Sequence, residues 1–302
     1  MTTVRNRVGE RRTALGPRVL RRLPSGAESA PYTMFELRPC GPLIGAEIRG
    51  VDLRDPVRPE VFTELDRALL EWKVLFFRDQ PITSAQHRAF ARLWGELEVH
   101  PFLAQGEVPE VVRFAKDAAT VGVENIWHTD VTWRQEPALG SVLRAVEVPP
   151  HGGDTLWADL AAAYDNLPAD VQERIEGLSA VHDFAFSFGM TMSPERFTVM
   201  REQYPPVEHP VVRTHPATGR KTLFVNEVFT HHIVGLPDHE SEALLALLFK
   251  QATYPEYQVR FRWEPDSVAL WDNRATAHYA TNDYHPNMRV MERASILGEQ
   301  PH

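Results

Sequence analysis

The segment NIWHTDVT, residues 125–132, holds the only His-x-Asp pattern of the chain. Side chains of a strand alternate between its two faces, so a strand here would bring His128 and Asp130 to the same side. An imidazole and a carboxylate are two of the three ligands of the facial triad, which binds Fe(II) and leaves coordination positions open. A chain with 13 histidines is expected to contain roughly one such pattern by chance. A hydrogen-bonded pair at a strand end is therefore the alternative.

The sequence around this segment consists of short apolar stretches separated by Pro and Gly. These stretches predict strands at 35–37, 44–48, 73–77, 141–146, 222–225 and 268–271. Helical spacing predicts helices over 59–71, from Thr83 to Trp94, and over 159–175 and 239–251. Many short strands with a few flanking helices favour a mainly β fold whose core is a double-stranded β-helix, or jelly roll.

A third metal ligand has to come from a distant part of the chain. His278 follows the apolar stretch 268–271, but other histidines compete with it. They are His100, His182, His231, His232 and His285. The hypothesis favours His278 because Arg289 and Arg293 follow it in another apolar stretch.

These two arginines are four residues apart, and in a strand such positions share a face. Two guanidinium groups on one face of an apolar strand need anionic partners, because a buried unpaired charge is costly. A dicarboxylate cosubstrate and an anionic substrate would supply them. Ordinary ion pairing of Arg289 and Arg293 with Glu292 or another acid is the alternative.

Composition and charge exclude several classes of protein. The formal net charge is −9, and seven Arg against two Glu give residues 1–30 about +5, which leaves about −14 on the remainder. Nucleic-acid binding requires a basic surface, so no such partner is expected. No stretch approaches the run of about 20 apolar residues of a membrane helix, so no membrane partner is expected either. Cys40 is the only cysteine, which excludes an internal disulfide and fits a cytoplasmic protein.

The first 33 residues differ in composition from the rest. They are rich in Arg, contain several Pro and Gly, and show no sustained apolar period. They also lack the apolar stretch of a secretory signal. We expect a disordered N-terminal extension over residues 1–33 and one domain over residues 34–302.

Taken together, many segments resemble the taurine dioxygenase (TauD/TfdA) family of Fe(II)/2-oxoglutarate-dependent dioxygenases. The resemblance runs from about residue 35 to the C-terminus. It is carried by IGAEI (44–48), FFRDQ (76–80), GEL (95–97), WHTDVT (127–132), GGDTLW (152–157), HPVVRTHP (209–216), FVNE (224–227), WDNR (271–274) and RASILG (293–298). So many segments in one order are specific for the family.

The resemblance implies a role for individual residues. His128, Asp130 and His278 match the iron ligands, Thr155 and Arg289 match positions that bind the distal carboxylate of 2-oxoglutarate, and His100 and Arg293 match positions that bind the substrate anion. Phe188 and Phe229 match substrate-pocket positions, with plain core packing as the alternative. The implied reaction uses O₂, converts 2-oxoglutarate to succinate and CO₂, and hydroxylates a small anionic organic substrate. Family members often assemble as homodimers or homotetramers.

Two positions depart from the pattern of taurine-using members. Leu103 stands where they have a tyrosine, and Glu124 or Asn125 stands near their substrate-binding asparagine. Leu103 would suit an apolar chain, and an inward-facing Glu124 would suit an ammonium group. Taurine or another sulfonate, an alkyl sulfate, a carboxylate and an amino-acid-like compound all stay open as substrates. A metal-binding sandwich protein without oxidation chemistry, holding for example Zn²⁺, is the rival from another class.

Overall fold

Short strands and a few helices make up the part of the chain that the structure describes. The computed structural model describes residues 30–103, 106–120 and 124–302. The strands are β1 (Glu36–Pro39), β2 (Ala46–Arg49), β3 (Val74–Phe77), β4 (Val111–Lys116), β5 (Gly140–Glu147), β6 (Thr155–Asp159), β7 (Ser179–His182), β8 (Val207–Pro210), β9 (Val212–Thr214), β10 (Lys221–Leu223), β11 (Thr230–Ile233), β12 (Gln258–Phe261), β13 (Val268–Asp272), β14 (Thr276–Ala280) and β15 (Arg289–Ile296). The α-helices are α1 (Pro59–Trp72), α2 (Ser84–Ala91), α3 (Leu160–Asp165), α4 (Ala169–Ile175), α5 (Pro194–Gln203) and α6 (Asp238–Phe249). The prediction of a mainly β protein with flanking helices is confirmed.

The predicted N-terminal extension falls largely outside the described residues, which begin at Ala30. Tyr32 and Thr33 are described, and both contact helix α1. The Tyr32 hydroxyl donates to Glu71 over 2.7 Å, and the Thr33 N–H donates to Glu64 over 2.9 Å. The folded part of the chain therefore includes residues that precede the predicted boundary at residue 34.

The predicted helices are confirmed, with one interruption. Thr83, where the predicted helix begins, caps α2 through a capping box with Gln86. The predicted helix over 159–175 is two helices, α3 and α4, because Pro168 lies between them and a proline ring is incompatible with a helix interior.

The largest sheet of the described residues has seven strands and is called the main sheet below. Its order is β1-β2-β3-β13-β5-β15-β4, and only the β2–β3 pair among these neighbours is parallel. At its centre, all five residues of β13 are buried. This central position explains why 268–271 is a continuous apolar stretch.

A three-stranded sheet, called the minor sheet, covers one face of the main sheet. Its order is β12-β6-β14. Phe76 of β3 stacks on Phe261 of β12 with ring centroids 4.1 Å apart and contacts Trp157 of β6 edge-on. Helix α1 packs on the opposite face of the main sheet with Leu65 and other buried residues. The central strands of the main sheet are therefore buried on both faces. None of the helices in the described ranges is long and apolar enough to cross a membrane.

The segment around the His-x-Asp pattern is not the strand that the alternation predicted. Only His128 forms a bridge there, an isolated antiparallel one with His278 of β14. Asp130 lies in a turn, and Val131 after it has a φ of 48°. A positive φ ends extended pairing, so His128 and Asp130 converge through a turn rather than through strand alternation.

Candidate active site

Two backbone hydrogen bonds place His128 directly opposite His278. The His128 N–H donates to the His278 carbonyl over 3.0 Å, and the His278 N–H donates to the His128 carbonyl over 2.7 Å. The two imidazole rings consequently lie 4.2 Å apart between centroids. Because of this backbone pairing, His278 rather than one of the competing histidines lies directly opposite His128. The pairing joins distant parts of the chain, and the sequence alone does not show it.

Asp130 completes a group of three potential metal ligands. One ligand atom from each of His128, Asp130 and His278 lies within 4.8 Å of the other two. In the described residues, no other group of three or more His, Cys, Asp or Glu has this geometry. His128 Nδ1 lies 2.8 Å from the Ile126 carbonyl, which places its proton there and leaves Nε2 as a ligand. Two imidazoles and one carboxylate are the donor set of a facial-triad Fe(II) site, so the residues fit that ion.

The charge state of His278 also suits a metal ligand. Burial, and then the neighbouring His128, lower the pKa of His278 to about 3. The ring is therefore neutral near pH 7, which is the form that binds a metal. Its Nε2 lies 3.8 Å from the Asp130 carboxylate.

Two residues hold the Asp130 carboxylate in place. Arg293 Nη1 donates to Oδ1 over 2.6 Å, and Ser141 Oγ donates to Oδ2 over 3.1 Å. Burial would raise the pKa of Asp130, but the Arg293 guanidinium, the two histidines and the Ser141 hydrogen bond together outweigh it, and the pKa lies well below its ordinary value. Asp130 is thus ionised and oriented. The sequence does not predict Ser141, on β5, because no local pattern marks its contact with Asp130, eleven residues earlier.

Arg289 and Thr155 form a second polar group. Arg289 is 8% exposed, its Nε donates to the Gly153 carbonyl over 3.1 Å, and its Nη2 lies 3.5 Å from Thr155 Oγ1. Among the described residues, no carboxylate lies within ion-pair distance of Arg289. Thr155 Oγ1 also accepts from Trp263 Nε1 over 2.9 Å, so its own proton is available for an acceptor.

Glu292 does not neutralise either arginine. Arg293 is nevertheless paired with another acid, Asp130, so among the described residues the ion-pairing alternative holds for Arg293 and not for Arg289. Neighbouring residues of a strand point to opposite faces, and Glu292 pairs on the other face with Arg113 at 3.1 Å and Arg144 at 3.4 Å. Arg289 and Arg293 share the inner face, as predicted from their spacing.

One cleft connects the triad to Arg289. It is lined by Phe114, Lys116, Glu124, His128, Leu143, Thr155, Trp271, His278, Ala280, Thr281, Asn282, Tyr284, Arg289, Met291 and Arg293. Lys116 was not predicted, although strand β4 places it in register with Arg289. Its Nζ lies 3.0 Å from Glu124 Oε1. Glu124 therefore faces the cleft, as expected if it binds an ammonium group of the substrate. Here it contacts the ammonium group of Lys116 instead.

The remaining expected substrate residues lie outside the lining of this cleft. His100 is 2% exposed and packs against Phe188 with ring centroids 5.3 Å apart, and Phe188 stacks near Phe229 at 6.3 Å. Leu103 is half-buried and directly precedes two residues that are not described, and Asn125 is exposed. The structure thus brings His100, Phe188 and Phe229 together.

His100 carries a buried hydrogen-bond donor. Its Nδ1 accepts from the Phe102 N–H over 3.2 Å, which places the ring proton on Nε2. Within the described ranges, this buried Nε2 has no hydrogen-bond partner. Burial, and then the charge of Arg293, lower the pKa of His100 to about 3, so the ring is neutral. A neutral, buried N–H near a guanidinium suits an anionic oxygen.

Comparison with known proteins agrees with this geometry. Residues 36–295 match the family model "Taurine catabolism dioxygenase TauD, TfdA family". The chain is 37% identical to an α-ketoglutarate-dependent sulfate ester dioxygenase of Pseudomonas putida over 90% of this chain and 93% of that protein. It is 35% identical to an alkylsulfatase of Acinetobacter baylyi over 89% of this chain and 87% of that protein.

A solved structure shares both fold and sequence. A taurine dioxygenase from Burkholderia xenovorans superposes with a TM-score of 0.77 at 40% identity, over 89% of this chain and 93% of that one. The chain therefore belongs to the TauD/TfdA family and is an Fe(II)- and 2-oxoglutarate-dependent dioxygenase with O₂ as its oxidant.

Proposed function

We propose that this dioxygenase oxidises a small sulfate ester with an apolar chain, an alkyl sulfate, and releases inorganic sulfate. The observation that carries the proposal is the surroundings of His100. This neutral N–H donor lies near Arg293 and is enclosed by Phe102, Phe188 and Trp133. An anionic head group suits the N–H donor and the guanidinium, and an apolar tail suits the surrounding aromatic rings. Two similar proteins are named for sulfate esters.

His128, Asp130 and His278 would hold the Fe(II). When bound, the iron and 2-oxoglutarate activate O₂ for oxidation of a C–H bond while 2-oxoglutarate becomes succinate and CO₂. The protein's own contribution is to orient the reactants. Ser141 and Arg293 fix the Asp130 carboxylate through hydrogen bonds to its two different oxygens.

Arg289 and Thr155 would bind the distal carboxylate of 2-oxoglutarate. A buried guanidinium without an ion-pair partner in the described residues is costly, and a carboxylate would remove that cost. The Thr155 hydroxyl accepts from Trp263 and so has a proton to donate to the same carboxylate. This pair supports an organic diacid as cosubstrate and disfavours a structural zinc site, which needs no such group.

The polar contacts near the cleft favour an apolar tail over an amino-acid-like substrate. Glu124 is already paired with Lys116, so it does not require an ammonium group from the substrate. Leu103 supplies an apolar side chain close to His100 in sequence. Taurine, with an ammonium and a two-carbon chain, uses these features less well than an alkyl sulfate does.

We also propose that the main and minor sheets are the two sheets of a double-stranded β-helix. The support is their face-to-face packing through Phe76, Phe261 and Trp157, and the position of His128 and His278 at one end of the minor sheet.

The test measures succinate and inorganic sulfate together. Fe(II)-loaded enzyme with 2-oxoglutarate and O₂ is offered alkyl sulfates of increasing chain length, taurine, an alkyl carboxylate and an amino acid. Hydroxylation of the carbon that bears the sulfate oxygen gives a product that collapses to an aldehyde and sulfate. We expect one sulfate per succinate, and a rate that rises with chain length. Turnover of taurine alone would refute the sulfate-ester proposal, and sulfate release without succinate would indicate hydrolysis.

A further inference from the structure

The turn that follows Asp130 is strained. Val131 has a φ of 48° and is a buried, β-branched residue. Such a side chain is unfavourable in the left-handed region, so the conformation persists only where the surrounding structure enforces it. Because Val131 immediately follows Asp130, whatever enforces this turn also sets the direction of the Asp130 carboxylate.

Hydrogen bonds hold the turn on both sides. On the N-terminal side, Thr129 Oγ1 donates to the Thr276 carbonyl of β14 over 2.8 Å. On the C-terminal side, Thr132 Oγ1 accepts from Asn226 Nδ2 over 3.0 Å and lies 2.9 Å from His182 Nδ1. Thr132 and His182 are fully buried, and Asn226 nearly so. A buried network of polar side chains rigidifies the structure when every polar group in it has a hydrogen-bond partner.

The side-chain amide of Asn226 connects two segments of the chain through hydrogen bonds. Its Nδ2 donates to Thr132, and its Oδ1 accepts from the backbone N–H groups of Val228 and Phe229 over 3.1 and 3.0 Å. One amide therefore joins the turn beside the metal ligand to the segment that carries Phe229.

We propose that Thr132, Asn226 and His182 are positioning residues that enforce the turn at Val131 and thereby hold the Asp130 carboxylate toward His128 and His278. The proposal rests on Asp130, His128 and His278 being the metal ligands. It does not depend on which substrate the enzyme oxidises. None of Thr132, Asn226 and His182 is one of the three potential ligands or lines the cleft. Their contribution is the geometry of the Asp130 ligand.

The test measures metal binding without turnover. The variants are Thr132→Val, which removes the hydroxyl at nearly constant shape, Thr132→Ser, which keeps it, and Asn226→Asp, which removes the amide donor. Thr222→Val is the matched control, because Thr222 is also fully buried and donates to a backbone carbonyl, that of Arg274, over 3.0 Å. Each protein is titrated with Mn²⁺ by electron paramagnetic resonance and with Co²⁺ by visible absorption.

Loss of outer contacts to a metal ligand typically costs 10- to 100-fold in affinity. We expect Thr132→Val and Asn226→Asp to weaken Mn²⁺ binding by about tenfold or more and to change the Co²⁺ spectrum. Thr132→Ser should restore both, and Thr222→Val should lower the melting temperature without changing either. Wild-type Mn²⁺ affinity in Thr132→Val, or an equal loss in Thr222→Val, would overturn the proposal. If Thr132→Val does not fold, Asn226→Asp gives the same decision.

Discussion

Arg293 and His278 approach the same oxygen of Asp130. Arg293 Nη1 lies 2.6 Å from Asp130 Oδ1, and His278 Nε2 lies 3.8 Å from it. One carboxylate thus connects the metal ligands with the guanidinium expected to bind the substrate anion. Because a metal at this site would draw charge from Asp130, the Arg293 guanidinium becomes more available to an anion when the metal is bound.

Replacing Arg293 by Gln, assayed at saturating Fe(II) because the variant also loses its hydrogen bond to Asp130, should weaken binding of the organic substrate more than that of 2-oxoglutarate. Removing one partner of a buried, hydrogen-bonded charge pair costs about 2–5 kcal/mol. We therefore expect the KM for the alkyl sulfate to rise by about 100-fold, with a much smaller change in the KM for 2-oxoglutarate, in steady-state assays. Arg113→Gln is the control, since Arg113 is exposed and lies on the other face of the sheet. A selective loss of 2-oxoglutarate affinity would mean that the roles of Arg289 and Arg293 are reversed.

Arg289→Gln should give the opposite result. The variant loses the buried cation that faces Thr155, so the KM for 2-oxoglutarate should rise by about 100-fold while the KM for the organic substrate changes little. Direct binding of 2-oxoglutarate to the Mn²⁺-loaded protein by calorimetry checks this without turnover. Unchanged 2-oxoglutarate affinity would remove Arg289 from the cosubstrate site.

Gly153→Ala should disturb Arg289 without removing any charge. Gly153 has a φ of +69°, and a Cβ there would lie 3.1 Å from Arg289 Cδ and 3.2 Å from its Nε. Gly219→Ala is the control. Gly219 has a φ of +67°, and a Cβ there would meet nothing within 4 Å, so this substitution introduces backbone strain without a steric contact. We expect both variants to lose about 1 kcal/mol of unfolding free energy, measured with urea. Only Gly153→Ala should raise the KM for 2-oxoglutarate, and equal KM values in the two variants would contradict the assigned contact.

The protein should become less stable as the pH falls below 6.5. Burial lowers the pKa of His87 to about 4 and the pKa values of His100 and His278 to about 3, whereas histidines of an unfolded chain titrate near 6.5. The unfolded state therefore binds protons between these values that the folded state does not. Stability is complete above pH 6.5 and declines as the pH falls toward about 3.

Urea titrations of the metal-free protein at several pH values measure this decline. Each buried histidine should contribute about 1.4 kcal/mol per pH unit within that window. His87→Gln should make the decline shallower, because it removes one such group at a distance from the triad. An unfolding free energy that stays constant between pH 7 and pH 5 would contradict the burial of these rings.

Local spacing was enough to predict His128, Asp130, Arg289 and Arg293, since each pair is separated by a few residues. Ser141 and Lys116 could not be predicted in this way. Lys116 becomes a neighbour of Arg289 only through the pairing of β4 with β15, and register between distant strands leaves no local signal. Ser141 contacts Asp130 from eleven residues further along the chain, and no local pattern marks that contact.

The sequence also does not predict the backbone conformation beside Asp130. A β-branched residue is not expected at positive φ, so Val131 concealed the turn and its neighbourhood was interpreted as a strand. Pro168, by contrast, is a strong local signal for the break between α3 and α4. A homodimeric or homotetrameric assembly and a cytoplasmic location stay predictions.

The most direct test of the central claim is the visible spectrum of the protein with Fe(II) and 2-oxoglutarate under anaerobic conditions. If His128, Asp130 and His278 hold the iron with positions left for the cosubstrate, addition of 2-oxoglutarate should produce a weak charge-transfer band. His128→Ala should abolish the band, and Arg289→Gln should require more 2-oxoglutarate to reach it. Absence of the band in the wild-type protein, together with tight retention of zinc, would contradict the assignment.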